Sequence, residues 1–222
     1  MPPPSTPNNK EMKMKLLHKL IAVLLLLVAT QVQADVVAGR DYKVMSPAQP
    51  TSSGSKVEVL EFFFYGCSHC YYLHGPLSAW EKKMPKDVNL QFVPVIFRDT
   101  WEPMARTFYA LEALGEREKL HNDLFEAWNV FNTDLSDEQK ITAFVAKRGV
   151  DAQKFGAAYN SFSLAGKVAR SNQLVRSYAI RGTPTIAVDG KYIITGLEPA
   201  DTVRVLNEVI EIARKERRAG KR

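Results

Sequence analysis

Phe62-Phe63-Phe64-Tyr65-Gly66-Cys67-Ser68-His69-Cys70-Tyr71-Tyr72 runs from an apolar, β-prone segment through a glycine turn into the start of a helix. Cys67 and Cys70 are the only cysteines in 222 residues, and two residues separate them. One such pair where a strand gives way to a helix reads as a redox dithiol. A sulfur at the opening of a helix faces unpaired backbone N–H groups and the positive end of the helix dipole, which favour its thiolate. Cys67 takes that opening position. Cys70 follows one turn further in, on the same face and within disulfide reach, and His69 places an imidazole beside the pair. Cys67 is therefore expected to attack and Cys70 to resolve.

Upstream, Val57 to Tyr65 is almost continuously apolar, as expected of a strand covered on both faces of a parallel sheet. Glu61 breaks the run. Alternation sets Glu61, Phe63 and Tyr65 on one face and Leu60, Phe62 and Phe64 on the other. Two readings of Glu61 stand: a carboxyl in a core layer below the cysteines, or a wet side chain on an open face. Asp41 to Met45 is expected to form a short first strand, and Ser46 to Lys56, rich in proline and serine, a loop.

Downstream, the helix from Cys67 continues to about Lys83, with Leu73, Leu77 and Trp80 roughly in line and a kink expected at Pro76. Asn89 to Phe97, interrupted by Pro94, is a second strand, which completes a βαβ unit. From Trp101 to about Ser163 helical spacing replaces the strand pattern. Pro103, Met104, Phe108 and Leu111 precede Gly115; Leu120, Leu124, Phe125 and Trp128 mark a second helix. Ser136 with Gln139 reads as a capping box for a third, carrying Ile141, Phe144 and Val145, and Asp151 caps a fourth, with Phe155, Ala158 and Tyr159. A long helix to about Ile180 follows. Then come Arg181-Gly182-Thr183-Pro184, a hairpin around Asp189-Gly190, and a last helix opened by Pro199. The fold class is α/β, with a helical domain, 100–163, inserted into a domain made of 35–99 and 164–222.

Residues 12 to 34 have a basic start, an uncharged apolar centre from Leu20 to Ala29, and small residues at Val32 and Ala34. This is the pattern of a secretory signal peptide, with cleavage expected after Ala34. Residues ahead of Met12 read as a disordered extension or an over-long start, which leaves Met1, Met12 and Met14 as alternative starts. Secretion puts the cysteines in an oxidising compartment. The formal charge of +6 includes four lysines and one glutamate of this leader. Much of the remaining excess lies between Arg214 and Arg222, a solvated basic end rather than a nucleic-acid surface.

The strand Val59-Leu60-Glu61-Phe62-Phe63, the centre Cys67-Ser68-His69-Cys70-Tyr71 and the segment Arg181-Gly182-Thr183-Pro184, in this order behind a leader, resemble the DsbA family of periplasmic thiol:disulfide oxidoreductases in the thioredoxin superfamily. The resemblance spans roughly Val36 to Arg214. It implies a thioredoxin fold, a nucleophile at Cys67, a buried partner at Cys70, and a thiolate-stabilising His69. It also implies a buried acid at Glu61 that moves protons, and a cis bond at Pro184, beside which the Thr183 backbone pairs with substrate. It further implies unfolded secreted proteins as substrates, reoxidation by a DsbB-type membrane partner, a monomer, and no cofactor beyond the Cys67–Cys70 disulfide. Three departures bear on potential and partner preference: Ser68 where many members have proline, Thr183 where the best-known oxidases have valine, and His74 where some carry another acid. The alternatives are an isomerase or reductase, suggested by Thr183, and a non-catalytic module, either chaperone-like or holding zinc through Cys67, Cys70, His74 and a further histidine.

Overall fold

The computed structural model describes residues 35–220, with Met14 and His18; the leader and its cleavage point lie outside the described residues. From Val36 onward the chain forms one unit. Its sheet contains β1 (Lys43–Val44), β2 (Val57–Phe63), β3 (Val88–Pro94), β4 (Thr185–Val188) and β5 (Tyr192–Thr195), in the order β1-β5-β4-β2-β3. Only β2 and β3 run parallel, joined by α1 (Ser68–Glu81); the β2–β4, β4–β5 and β5–β1 pairs are antiparallel. The all-parallel surround expected for β2 is therefore corrected to a mixed sheet. A tight hairpin, in which Asp189 and Gly190 both have positive φ, returns the chain antiparallel.

Every residue of β2 is buried because both faces are covered. Val57 and Val59 pack with Leu73, Leu77 and residues of α7 (Pro199–Ala219), while Leu60 and Phe62 pack with Tyr178 and Ile180. The alternation holds only as far as the strand does. β2 ends at Phe63, so Phe64 leaves the side of Leu60 and Phe62 and joins Phe63 and Tyr65, stacked on Trp101 at 3.8 Å. A second buried carboxylate, Glu58, escaped the sequence reading. The serine-rich loop satisfies it: Ser52 N–H, Ser52 Oγ and Ser53 Oγ donate to its Oε2 at 2.7, 2.9 and 2.9 Å. The loop expected from composition is thus also a polar lid over one strand residue.

Between β3 and β4 lie α2 (Glu102–Leu114), α3 (Arg117–Asn129), α4 (Glu138–Ala146), α5 (Ala152–Tyr159) and α6 (Phe162–Ser177). Gly115, at φ 74°, ends α2 as the sequence predicts. The capping box does not form. Asp137, one residue later than Ser136, caps α4 by accepting from Lys140 N–H at 2.9 Å, so the helix opens one residue later than the box requires. Asp151 caps α5 as expected. The apolar stripes of these helices form one core with the end of β2: Phe108, Leu111, Leu124, Phe125, Val145 and Phe155 are buried together with Phe63 and Tyr65. They are core, not an open groove.

Part of the basic tail is structural rather than merely solvated. Arg214 donates to both carboxylate oxygens of Asp87, and Arg217 grips Asp189 at the hairpin and the Gly54 carbonyl. These pairs tie the last turns of α7 to the far end of the sheet.

Candidate active site

The site forms where β2 stops. Phe64 O accepts the Cys67 N–H at 3.0 Å and Cys67 O accepts the Tyr71 N–H at 3.0 Å, so the chain turns from strand to helix within four residues. Gly66 makes this turn passable. A Cβ there would collide with the Phe64 ring and lie 2.7 Å from Trp128 Nε1. The turn is fastened to the inserted helices by Asn129 Nδ2, which donates to Tyr65 O at 2.8 Å.

Cys67 is the N-cap of α1, half-buried, and Cys70 is fully buried; both are free thiols. Their environments pull them apart. The Cys67 thiol falls to about 5, chiefly through a hydrogen bond from the Cys70 side chain. Burial opposes this, while the Thr183 side chain and the backbone N–H groups of Cys70 and His69 add to it. Burial and the facing Cys67 sulfur drive the Cys70 thiol far above its ordinary value. At neutral pH one sulfur is held as a thiolate and the other keeps its proton.

The sequence-predicted residues converge on this point from both ends of the chain. The Thr183–Pro184 bond is cis, and Thr183 O lies 3.3 Å from Cys67 Sγ, close enough for the thiol to donate to it. His69 is exposed beside a groove of about 420 Å³ that it lines with Tyr72, Thr183, Pro184, Leu197 and Pro199. Its backbone N–H is one of the donors that lower the Cys67 thiol. Glu61 is buried, which closes the choice the residues alone left open. Desolvation, followed by the charges of Glu81 and Cys67, raises its carboxyl to about 8, against the pull of Arg117.

Sequence reasoning missed what surrounds Glu61. Arg117 opens α3, pairs with Glu81 at 3.3 Å and lies over the Phe92 ring. Tyr65 OH and His121 Nδ1 are 2.7 Å apart in the same buried layer. The only available signal was His121 on the apolar stripe that also carries Leu120, Leu124 and Phe125. His74 turns toward this layer, with its ring 4.9 Å from His121 and 5.1 Å from Phe125. Among the described residues no three His, Cys, Asp or Glu side chains converge to hold an ion.

Thr183 offers a direct test of how the thiolate is held. Thr183→Val keeps the backbone and shape but deletes a side-chain donor to Cys67, so the Cys67 pKa rises from about 5, by less than about one unit for a single hydrogen bond among several. Titration of the thiolate absorbance measures it. An unmoved curve would mean that the backbone donors and Cys70 alone hold the charge.

A half-buried low-pKa sulfur paired with a sealed one has a natural outlet: it exchanges disulfides with other sulfur pairs. The molecule is a thiol:disulfide oxidoreductase on a thioredoxin fold with a helical insertion. Residues 58–206 match the family model of the DSBA-like thioredoxin domain. The thiol:disulfide interchange protein DsbA of Burkholderia cepacia is 44% identical over 183 residues, covering 79% of this chain and 86% of that one. Its counterpart from Pseudomonas aeruginosa is 35% identical over 191 residues, covering 85% and 89%. A crystal structure of Pseudomonas aeruginosa DsbA superimposes with a TM-score of 0.78 at 34% identity, covering 84% of this chain and 97% of that one. The chain belongs to the DsbA family.

Proposed function

We propose that this oxidoreductase is a disulfide donor, oxidising thiols of newly secreted, unfolded proteins in the periplasm. The observation that carries the reading is the split between the sulfurs, with Cys67 at about 5 and Cys70 far above it. Whatever holds the Cys67 thiolate acts only on the dithiol form. It therefore draws electrons in and weakens the protein's own disulfide.

In the cycle, a substrate thiolate attacks Cys67 Sγ and the Cys67–Cys70 bond breaks. The departing Cys70 sulfur takes a proton from Glu61, which still holds one near neutral pH. A second substrate thiolate then attacks its own sulfur in the mixed disulfide and Cys67 leaves as a stable thiolate. The groove under Thr183 and Pro184 receives the substrate as an extended segment paired with the Thr183 backbone. A DsbB-type membrane oxidase returns the pair to the disulfide, and the working unit is a monomer delivered by the 1–34 leader. The partition into 35–99 with 164–222 and 100–163 belongs to the same proposal; a cut at 163/164 falls in the first turn of α6.

Equilibration of the purified protein with glutathione buffers tests this. A potential near about −120 mV, the general figure for DsbA, means a donor; one near about −270 mV, that of thioredoxin, means a reductase. His69 supplies a second check. His69→Ala removes the imidazole, leaves the backbone N–H, raises the Cys67 pKa and makes the protein less oxidising, again read by thiolate absorbance. An unchanged titration would remove the side chain of His69 from the mechanism.

A further inference from the structure

A carboxyl sealed in an apolar layer holds its proton too tightly to serve as a base unless a cation stands near it. The strand register shows where that cation comes from. Glu61 is paired with Phe92 on the edge strand β3, and directly paired residues of neighbouring strands project from the same face. On that face the Arg117 guanidinium lies 4.7 Å from the centre of the Phe92 ring, and its Nη2 is 3.3 Å from Glu81 Oε1 at the end of α1. Arg117 is thus held by a ring on β3 and a carboxylate on α1, although it comes from the inserted helices. We propose that Arg117 is a positioning residue: its charge, fixed beside Phe92, lets Glu61 accept the Cys70 proton when Cys70 closes the disulfide onto Cys67. This rests on the role given to Glu61 above.

The other groups facing Glu61 do not do this work. On α1, Glu81 and the Cys67 thiolate push the carboxyl's proton affinity up, and Cys70 is the proton donor itself. His74 on α1 and His121 on α3 are both held toward the neutral form by burial and by Arg117's own charge, so neither supplies a cation at neutral pH. Tyr65, in the turn after β2, is buried and keeps its proton. From β3 and β4 the residues paired with Glu61 are Phe92 and Ile186, both apolar.

The step is isolated by preparing the dithiol protein as a mixed disulfide between Cys67 and glutathione. The Cys70 thiol passes its proton to Glu61, its sulfur attacks Cys67 Sγ, the bond to glutathione breaks and glutathione leaves as a thiolate. Glutathione release is followed against pH. In the parent protein the rate climbs as Glu61 loses its proton. Arg117→Gln and Arg117→Met move that climb to higher pH, and the rate at pH 7 falls about tenfold for each pH unit moved. Arg117→Lys, which keeps the charge, restores the profile. Glu61→Gln flattens the climb, and adding Arg117→Gln to Glu61→Gln changes nothing further. A parent-like profile in Glu61→Gln would refute the reading of Glu61 itself. A flat Glu61→Gln profile with an unmoved profile in both charge-deleting Arg117 variants would overturn the proposal for Arg117 alone. So would an equal slowing by Arg117→Gln with and without Glu61.

Discussion

Cys67→Ser abolishes disulfide exchange, whereas Cys70→Ser allows the first attack and stops there, so that a mixed disulfide between Cys67 and substrate accumulates. The difference follows from placement. Cys67 sits at the helix opening where a partner sulfur can reach it, and Cys70 is sealed from solvent. A serine at 67 has no sulfur to exchange. A serine at 70 still donates a hydrogen bond to Cys67, the largest contribution to its lowered pKa, so the thiolate survives. Cys70→Ala should differ: without that donor the Cys67 pKa rises from about 5 toward an ordinary thiol. Thiol-specific alkylation followed by mass analysis distinguishes all three variants. A Cys67→Ser protein that still oxidised a dithiol substrate would end the mechanism, and a Cys70→Ser protein that turned over without trapping substrate would reverse the roles of the two sulfurs.

The second large effect is a stability gap between redox forms that opens with pH. Cys67 is depressed in the folded dithiol, so its contribution is complete above the unfolded thiol's pKa, near 8.5, and disappears as pH falls through about 5. The disulfide form has no such group. The urea midpoint of the reduced protein, minus that of the oxidised protein, should therefore grow from pH 4 to pH 8 and shrink again beyond about pH 9, where the unfolded chain gives up the Cys70 proton that the fold keeps. At pH 7 the ceiling is ~2.8 kcal/mol, the distance from about 5 to 7 at about 1.4 kcal/mol per unit. Because Cys67 is only half-buried, solvent screening reduces this to ~1–2 kcal/mol. Glu61, raised to about 8, contributes with the opposite sign: its stabilisation is present below about pH 4 and lost as pH rises through 8. It does so in both redox forms and largely cancels in the difference. A gap that stayed constant with pH would show that the Cys67 thiolate is not what stabilises the dithiol form.

The order of strands and helices, the inserted helical block and the reactive turn were legible because their causes are local. Phe62 to Tyr72 carries its own strand pattern, glycine and cysteine spacing, and Gly115, Asp151 and Asp189-Gly190 stop, cap or turn the chain through their own side chains and φ angles. Even the local signals competed at one point. Ser136 and Asp137 are adjacent and both can cap, and only the folded chain showed that the carboxylate did.

What the amino-acid sequence determined alone was the dithiol and its setting: two cysteines, one at a helix opening, in a chain patterned for a thioredoxin-like sheet. What the tertiary structure decided was every property that depends on burial of charge. Glu61 could have been wet or sealed, and it is sealed because β4, β3 and the inserted helices close over β2. Its cation, Arg117, lies 56 positions away in the chain. The energy of a buried charge depends on neighbours brought together by packing, and no pattern local to Glu61 records which they will be.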